Sequence, residues 1–210
     1  MSSGLSDPTR LTRLTGAWID AWVCRVRESL DVFLAEFEPR FGYPPDCNSL
    51  GNAEGFSAAE CDEVAAVSAD LALLHRHMSH LSLPDVGVGL FVHPARQTVA
   101  GLHGDLPTRL VGAVEDSVVV FGSDGGGALF ALSRTDGATV YRLPPGRVDG
   151  DLYHCAPTAD VLAASPQGFL TLAASPQGFL TLAASPQGFL TLAPSLQGFL
   201  THVEAQLRPI

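Results

Sequence analysis

The stretch that decides the fold is "SVVVFGSDGGGALFALSRTDGATVYRLPPGRVDG", residues 117–150. It alternates short runs of β-branched and aromatic residues with glycine-rich links, a pattern typical of strands joined by tight turns. Strands are predicted at 117–122, 128–133 and 139–144. The Asp-Gly pair at 136–137 is a strong signal for a two-residue hairpin.

Two further strands are predicted upstream, at 88–93 and 108–114. None of the gaps after residue 105 has room for a crossover helix, so the strands are expected to form an antiparallel meander. Helices must then come from the two ends of the chain. The predicted fold class is α+β, with a central, mostly antiparallel meander sheet and N-terminal and C-terminal helices packed on it.

The N-terminal third carries the helical patterns. Residues 11–38 predict an amphipathic helix, and the two tryptophans of its apolar stripe are assigned to the core rather than to a ligand platform. The segment 38–56 is rich in Pro, Gly and Asn and predicts a loop. A second helix is predicted from Ser57, which forms a capping box with Glu60, to the residue before Pro84. Its predicted apolar face is Cys61, Val64, Leu71, Leu74, Met78 and Leu81.

Composition narrows the classes of function. The chain has 210 residues, 46% of them hydrophobic, and a net charge of −10, so it is expected to be globular and not to bind nucleic acid through phosphate neutralisation. All twelve basic residues are Arg, and this usage indicates a coding sequence from a high-GC bacterium. The start "MSSGLSDPTR" has no apolar segment of a signal peptide, and four cysteines without a Cys-x-x-Cys pair indicate free thiols. A soluble, cytoplasmic protein without cofactor, metal or membrane partner is expected.

The glycine-rich link at 123–127 has two interpretations. Gly-rich loops can cradle phosphates, but such loops lead from a strand into a helix, whereas a strand follows here. The chain also has no Lys. We therefore predict that Gly125, Gly126 and Gly127 form a structural turn, with Asp124 the residue of this link that would carry a function.

No catalytic or metal signature is complete. His75, His77 and His80 fall near the predicted end of the second helix, but three ligands cannot converge from that spacing, so an interaction with the helix C-terminal dipole is preferred to metal binding. His154 and Cys155 are neighbours in the chain, which does not establish a catalytic pair. The protein is predicted not to be an enzyme.

Charge is the most uneven feature. Between residues 46 and 85 seven acidic residues stand against the single Arg76, a net charge of −6. A solvated loop and helix face is one interpretation. The other is a docking surface for a basic protein, for which complementary charge raises the association rate. The candidate contact residues are Glu54, Glu60, Asp62, Glu63 and Asp124.

From residue 117 onward, the order of strand, Asp-Gly-Gly-Gly, "LFAL" and "VYRLP" resembles the SUKH superfamily, which includes the Smi/Knr cell-wall regulators. "LPDVGVGLFVHP" (83–94) and "PSLQGFLTHVEAQL" (194–207) extend the resemblance. It implies an α+β fold and a class dominated by bacterial immunity proteins, which neutralise polymorphic toxins, often nucleases. The superfamily also includes intracellular regulators.

A decapeptide array follows the strands. "AASPQGFLTL" occurs three times in succession at 163–192, and a looser fourth copy follows. One long helix is excluded, because a proline every ten residues would break it. We predict a domain at 1–162, a tandem expansion at 163–192, and a fourth unit with a terminal helix at 193–210 that completes the domain. Removal of 163–192 is expected to leave the melting temperature unchanged or higher.

Two functions follow from these patterns. The first is a non-catalytic immunity protein that binds the basic domain of a nuclease-type toxin. The alternative is a cytosolic regulatory or scaffolding module with no toxin partner, which would use exposed Phe-Leu pairs of the array as docking points.

Overall fold

A computed structural model describes residues 14–52, 58–104, 106–155, 190–193 and 195–207. Helices from the N-terminal and C-terminal parts of the described chain pack on a mostly antiparallel sheet, which confirms the α+β class. The described helices are α1 (Gly16–Phe41), α2 (Ala58–Val67), α3 (Ala69–His75), α4 (Ala95–Leu102) and α5 (Leu196–Gln206). The first strands are β1 (Ser49–Asn52), β2 (Met78–Leu83), β3 (Leu90–Val92), β4 (Arg109–Gly112) and β5 (Asp116–Asp124). They are followed by β6 (Leu129–Ser133), β7 (Val140–Leu143), β8 (Val148–Asp149), β9 (Leu152–Cys155) and β10 (Leu190–Ala193).

The sheet has two arms that meet at β5. The longer arm runs β1-β2-β3-β5-β6-β7-β10 and is antiparallel throughout. The shorter arm leaves the first residues of β5 in the order β4-β9-β8. Within it β4 and β9 pair in parallel, from Arg109 opposite Leu152 to Gly112 opposite Cys155. The mostly antiparallel sheet is confirmed, but the parallel pairing of β4 with β9 was not predicted, because the crossover between these two strands is built from β5–β8 and needs no helix.

One face of the longer arm packs against helices. Among the described residues, 27 buried hydrophobic ones form this cluster, and Phe199 of α5 packs in it against Phe121 and Phe130, at ring distances of 5.2 and 5.1 Å. Trp22 of α1 is fully buried, and its Nε1 donates a hydrogen bond to the carbonyl of Leu200 at 2.8 Å. The tryptophan thus belongs to the core and ties the two terminal helices together. We call this side the helix face.

The opposite face of the sheet is closed by β4 and β9 over part of its area. A smaller cluster lies there, with eight buried members within the described ranges: Leu110, Val118, Val120, Ala131, Tyr141, Leu143, Tyr153 and Cys155. Polar contacts complete it, because the hydroxyl of Tyr141 donates to Asp116 at 2.9 Å and that of Tyr153 donates to the Pro144 carbonyl at 3.0 Å. We call this side the open face, because the part of it over β2 and β3 is not covered by β4 and β9 and forms a groove.

The prediction of one continuous second helix up to Pro84 is wrong for its C-terminal half. The helix ends at Val67, and Ser68 caps a new one by accepting a hydrogen bond from Leu71 N at 3.2 Å. Residues 78–83 then form β2 instead of continuing the helix. Met78 and Leu81 are buried three residues apart, a spacing that fits the helical period as well as this irregular strand. Ser57, the predicted cap of α2, lies outside the described residues.

The predicted loop at 38–56 also contains regular structure. Pro39 lies in the last turn of α1, and Gly42, with φ of +79°, ends the helix by donating to the Glu38 carbonyl at 2.9 Å. Ser49–Asn52 then form β1 at one edge of the sheet. The short helix α4, between β3 and β4, was not predicted either.

The predicted terminal helix is present as α5. Ser195 caps it by accepting a hydrogen bond from Gly198 N at 3.1 Å. Residues 190–193 pair with β7, so the last three residues of the predicted expansion at 163–192 belong to a strand of the sheet. The remainder of that expansion lies outside the described residues.

Candidate functional site

The acidic residues of α2 form an arc on the outside of the protein. Cys61 and Val64 are buried and point α2 toward the core, while Asp62 and Glu63 are exposed and Glu60 is half-buried. At 100° per residue the three carboxylates span about 160° on the side away from the core. Helix α2 contains no Arg, Lys or His. We call Glu60, Asp62 and Glu63 the acidic arc.

Other acidic residues of the 46–85 stretch have structural contacts. Asp85 accepts hydrogen bonds from Asp46 N at 2.7 Å and from Asn48 Nδ2 at 2.6 Å, and thereby holds the loop that precedes β1. Asp70 lies in the first turn of α3, where a negative charge interacts favourably with the helix dipole. Glu54 lies outside the described residues. The surface that the charge count indicated is therefore reduced, among the described residues, to the acidic arc.

Asp124 lies apart from the acidic arc, at the end of β5. Its side chain is only 4% exposed and forms an ion pair of 2.6 Å with Arg142. Its Oδ1 accepts hydrogen bonds from Gly126 N at 2.9 Å and Ala128 N at 2.8 Å. The carboxylate thus fixes the turn between β5 and β6, and the structure gives it this role rather than a place on an exposed surface.

The glycines after Asp124 lie in that turn. A Cβ on Gly125 would lie 2.2 Å from the carbonyl oxygen of Val88, closer than any side chain tolerates. Gly127 has φ of +84°, in the left-handed region that favours glycine. The chain continues into strand β6, so the geometry is that of a hairpin and not of a phosphate loop.

The three neighbouring histidines have different surroundings. His75 ends α3 and is fully buried, and burial lowers its pKa to about 4, so at neutral pH it carries no charge for the helix dipole. The predicted dipole interaction is therefore wrong for this residue. His77 lies in a turn with Nδ1 2.6 Å from Asp20, and His80 lies in β2. Within the described ranges, no group of three or more His, Cys, Asp or Glu side chains could hold a metal ion.

His154 and Cys155 point to opposite sides of β9. Cys155 is buried in the open-face cluster, while His154 is exposed. Burial raises the pKa of the Cys155 thiol, which keeps it protonated and a poor nucleophile. The four cysteines of the chain are free thiols.

A groove on the open face was missed by the sequence analysis. Its volume is about 290 Å³, and it lies beside the start of α4 where β2, β3 and β5 run side by side. The strand register places Ser82, Phe91 and Ser123 in one row across the groove. Its polar and aromatic lining is His80, Ser82, Phe91, His93, Gln97 and Ser123. The wrong assignment of β2 to a helix concealed this row.

The two histidines of the groove have well-defined contacts. His93 is 8% exposed, and its Nε2 lies 3.0 Å from the Ser123 hydroxyl. Its Nδ1 is buried and has no hydrogen-bond partner among the described residues, and burial lowers its pKa. His80 contacts Ser49 through Nε2 at 3.3 Å and Ser79 through Nδ1 at 3.1 Å.

Comparison with known proteins gives no relative. No protein-family model matches the chain, and neither a curated protein nor a solved structure matches it. In the part of the chain that the structure describes, no helix combines the length and the apolar character needed to cross a membrane. Function must therefore be inferred from the acidic arc, the groove and the motif at 117–150.

Proposed function

We propose that this protein is a non-catalytic immunity protein of the bacterial cytoplasm, which neutralises a polymorphic, nuclease-type toxin by binding a basic domain of it. The observation that carries the proposal is the acidic arc, Glu60, Asp62 and Glu63, on the outer side of α2. An acidic surface can occupy the basic groove in which a nuclease holds nucleic acid, because it presents the same sign of charge as the phosphates.

The placement of the acidic arc suits docking. Helix α2 is anchored by its buried residues, so the carboxylates are held on a rigid element instead of a loop. The whole chain has a net charge of −10. This charge attracts a basic partner over a distance of about one Debye length, ~8 Å at physiological salt. Such attraction acts mainly on the association rate, and it excludes acidic partners.

The resemblance to the SUKH superfamily supports the same class of function. The residues that carry it form β5, β6 and β7 with the turn held by Asp124, which is the centre of the sheet. A central motif of this kind concerns the fold, and the partner is chosen by the surface. The choice between immunity and regulation therefore depends on binding experiments.

Charge reversal tests the proposal. Glu60→Arg, Asp62→Arg and Glu63→Arg are combined, and binding to the toxin domain encoded by a neighbouring gene is followed by surface plasmon resonance at low and physiological salt. We expect the association rate at low salt to fall about tenfold or more, since steering contributes 10- to 1000-fold in such complexes. Rescue of cells that express the toxin should be lost in parallel.

The matched control reverses three exposed acidic residues of another helix. Glu28→Arg, Asp31→Arg and Glu36→Arg on α1 change the net charge by the same amount. Equal loss of binding in the two triple variants would show that net charge, not the acidic arc, determines association. Absence of rescue by the unmodified protein, together with absence of binding to the toxin domain, would exclude the immunity role.

The regulatory or scaffolding alternative has one observation in its favour. At the end of α1, Phe37, Phe41 and Tyr43 pack ring against ring, and Phe41 and Tyr43 are 47% and 56% exposed. Exposed aromatic side chains are enriched in protein interfaces. A partner whose binding is lost with Phe41→Ala and Tyr43→Ala, but kept in the charge-reversed acidic arc, would favour this alternative.

A further inference from the structure

The groove on the open face differs in charge character from the rest of this acidic protein. Among the described residues that line it there is no carboxylate, although the chain carries 22 acidic residues. Its polar lining consists of two imidazoles, two hydroxyls and one amide, and all of these can donate a hydrogen bond. Lining of this kind suits a ligand that accepts hydrogen bonds.

The contacts of His93 indicate which of its ring nitrogens carries the proton, and therefore whether the Ser123 hydroxyl accepts from this ring or donates to it. A buried N–H without a partner is more costly than a buried lone pair without one, so the proton of His93 belongs on Nε2 and not on the unpartnered Nδ1. The lowered pKa of His93 is consistent with a neutral ring that carries a single proton. Nε2–H then donates to Ser123 Oγ, and the hydroxyl proton of Ser123 remains for a ligand.

The same tautomer argues against acyl transfer by this pair. A serine nucleophile needs a base that can take its proton. With the proton of His93 assigned to Nε2, this nitrogen donates to Ser123 Oγ and is not free to take the hydroxyl proton. The pair is thus arranged to bind a group in the groove rather than to attack it.

The start of α4 is a second feature of the groove that favours an anion. Pro94 is its N-cap residue and provides no side-chain hydrogen bond, so the first turn of α4 has no side-chain cap. Pro94 and Gln97, both from this turn, line the groove. Gln97 N and Thr98 N donate to the Pro94 carbonyl at 2.9 and 3.0 Å, so the contribution of this turn is the partial positive charge of a helix N-terminus, which favours an anion.

We propose that the groove binds a small molecule through an oxyanion group, a carboxylate or a phosphate, held by Ser82, Ser123 and Gln97 at the N-terminus of α4. The volume of about 290 Å³ leaves room beyond the oxyanion for an organic part of the ligand. Phe91 lies between the two serines in the strand register, and as a lining residue it provides an apolar contact for the organic part of the ligand. His80 is held in place by the hydroxyls of Ser49 and Ser79.

A titration of the full chain tests this site. Inorganic phosphate and acetate are added separately while the His93 ring resonances are followed by NMR, with acetamide as the neutral counterpart of acetate. We expect a saturable shift with at least one of the two anions and none with acetamide. Saturation by phosphate alone identifies a phosphate group, and saturation by acetate alone a carboxylate. No saturable shift with either anion, or an equal shift with acetamide, overturns the proposal.

Two pairs of variants locate the binding. Ser123→Ala should weaken anion binding about tenfold, since a hydrogen bond to a charged group contributes ~1.5 kcal/mol or more. Ser117→Ala, on the exposed part of the same strand, should leave it unchanged. Gln97→Glu should abolish binding by placing a negative charge in the groove, whereas Gln206→Glu at the end of α5 should not. Equal effects within either pair would show that the anion binds elsewhere.

Discussion

The two faces of the sheet are packed in different ways. In the part of the chain that the structure describes, the helix face holds 27 buried hydrophobic residues beneath α1 and α5, whereas the open face has a cluster of eight and then a groove lined by polar side chains. Because buried apolar area dominates folding free energy, most of the stability must come from the helix face. The open face can therefore present polar groups to a ligand without weakening the main core.

The largest effect should come from the centre of the helix face. Phe199→Ala removes a fully buried ring that contacts Phe121 and Phe130, and should lower the free energy of unfolding by about 3–5 kcal/mol. Denaturant titration followed by circular dichroism measures it. Phe41→Ala, at a ring that is 47% exposed, is the matched control and should cost about 1 kcal/mol or less. Similar losses in both variants would contradict the dominance of the helix face.

A second, smaller effect is expected at the turn between β5 and β6, because these two strands contribute side chains to both faces. Asp124→Ala removes the acceptor of two backbone N–H groups and leaves Arg142 without its ion-pair partner. We expect the free energy of unfolding to fall by about 3 kcal/mol. This is the lower end of the range for breaking a buried ion pair, because Arg142 is partly exposed.

The control for Asp124 is an aspartate on the surface. Asp149→Ala in β8 should change the free energy of unfolding by no more than about 0.5 kcal/mol. Asp124→Asn should fall between the two, since it keeps an oxygen for the backbone N–H groups but loses the charge. If Asp124→Ala unfolds at the same denaturant concentration as the unmodified protein, the structural role of this carboxylate is wrong.

Local signals explain which parts of the fold could be predicted. Strands β5, β6 and β7 are next to each other in sequence and in the sheet, and their turns carry glycines, so pattern and pairing agree. By contrast, the parallel pairing of β4 with β9 joins segments about 40 residues apart, and no local pattern reports it. The period of β2 follows on from that of α3, so the pattern gives no sign of the end of α3 at His75, and the cap at Ser68 marks only the break between α2 and α3.

The same reasoning applies to the candidate sites. The acidic arc could be predicted because charge and helical period are both local, and the glycine turn because a hairpin signal surrounds it. The groove could not, since it combines β2, β3, β5 and the start of α4, which meet only after the sheet forms. Ser123 lies in β5 just before a glycine turn, and nothing in the local sequence indicates a binding residue, because its contact with His93 forms only in the folded sheet.

The smallest effect is expected at the edge of the sheet, where β10 contains the last three residues of the array. The three copies at 163–192 are identical, so deletion of any two of them gives the same product and keeps the sequence Leu-Thr-Leu-Ala before Pro194. Ser195, the cap of α5, follows Ala193 by only two residues in the sequence, so the copy next to α5 is the one whose last residues form β10. The melting temperature of the two-copy deletion should be unchanged or slightly higher. Halving the length of a connection lowers the entropic cost of closing that loop by only ~0.6 kcal/mol.

Deletion of all three copies is the more demanding variant. It replaces Leu190-Thr191-Leu192 by Asp160-Val161-Leu162 before Ala193, and places Asp160 opposite Arg142 of β7. Because β10 pairs with β7 through the main chain, and Val is a good strand former, we expect this variant to fold with a melting temperature at least equal to that of the full chain. Differential scanning calorimetry measures both variants. Loss of folding in the two-copy deletion would show that the array contributes to the core, whereas loss only in the three-copy deletion would assign that contribution to the sequence of β10.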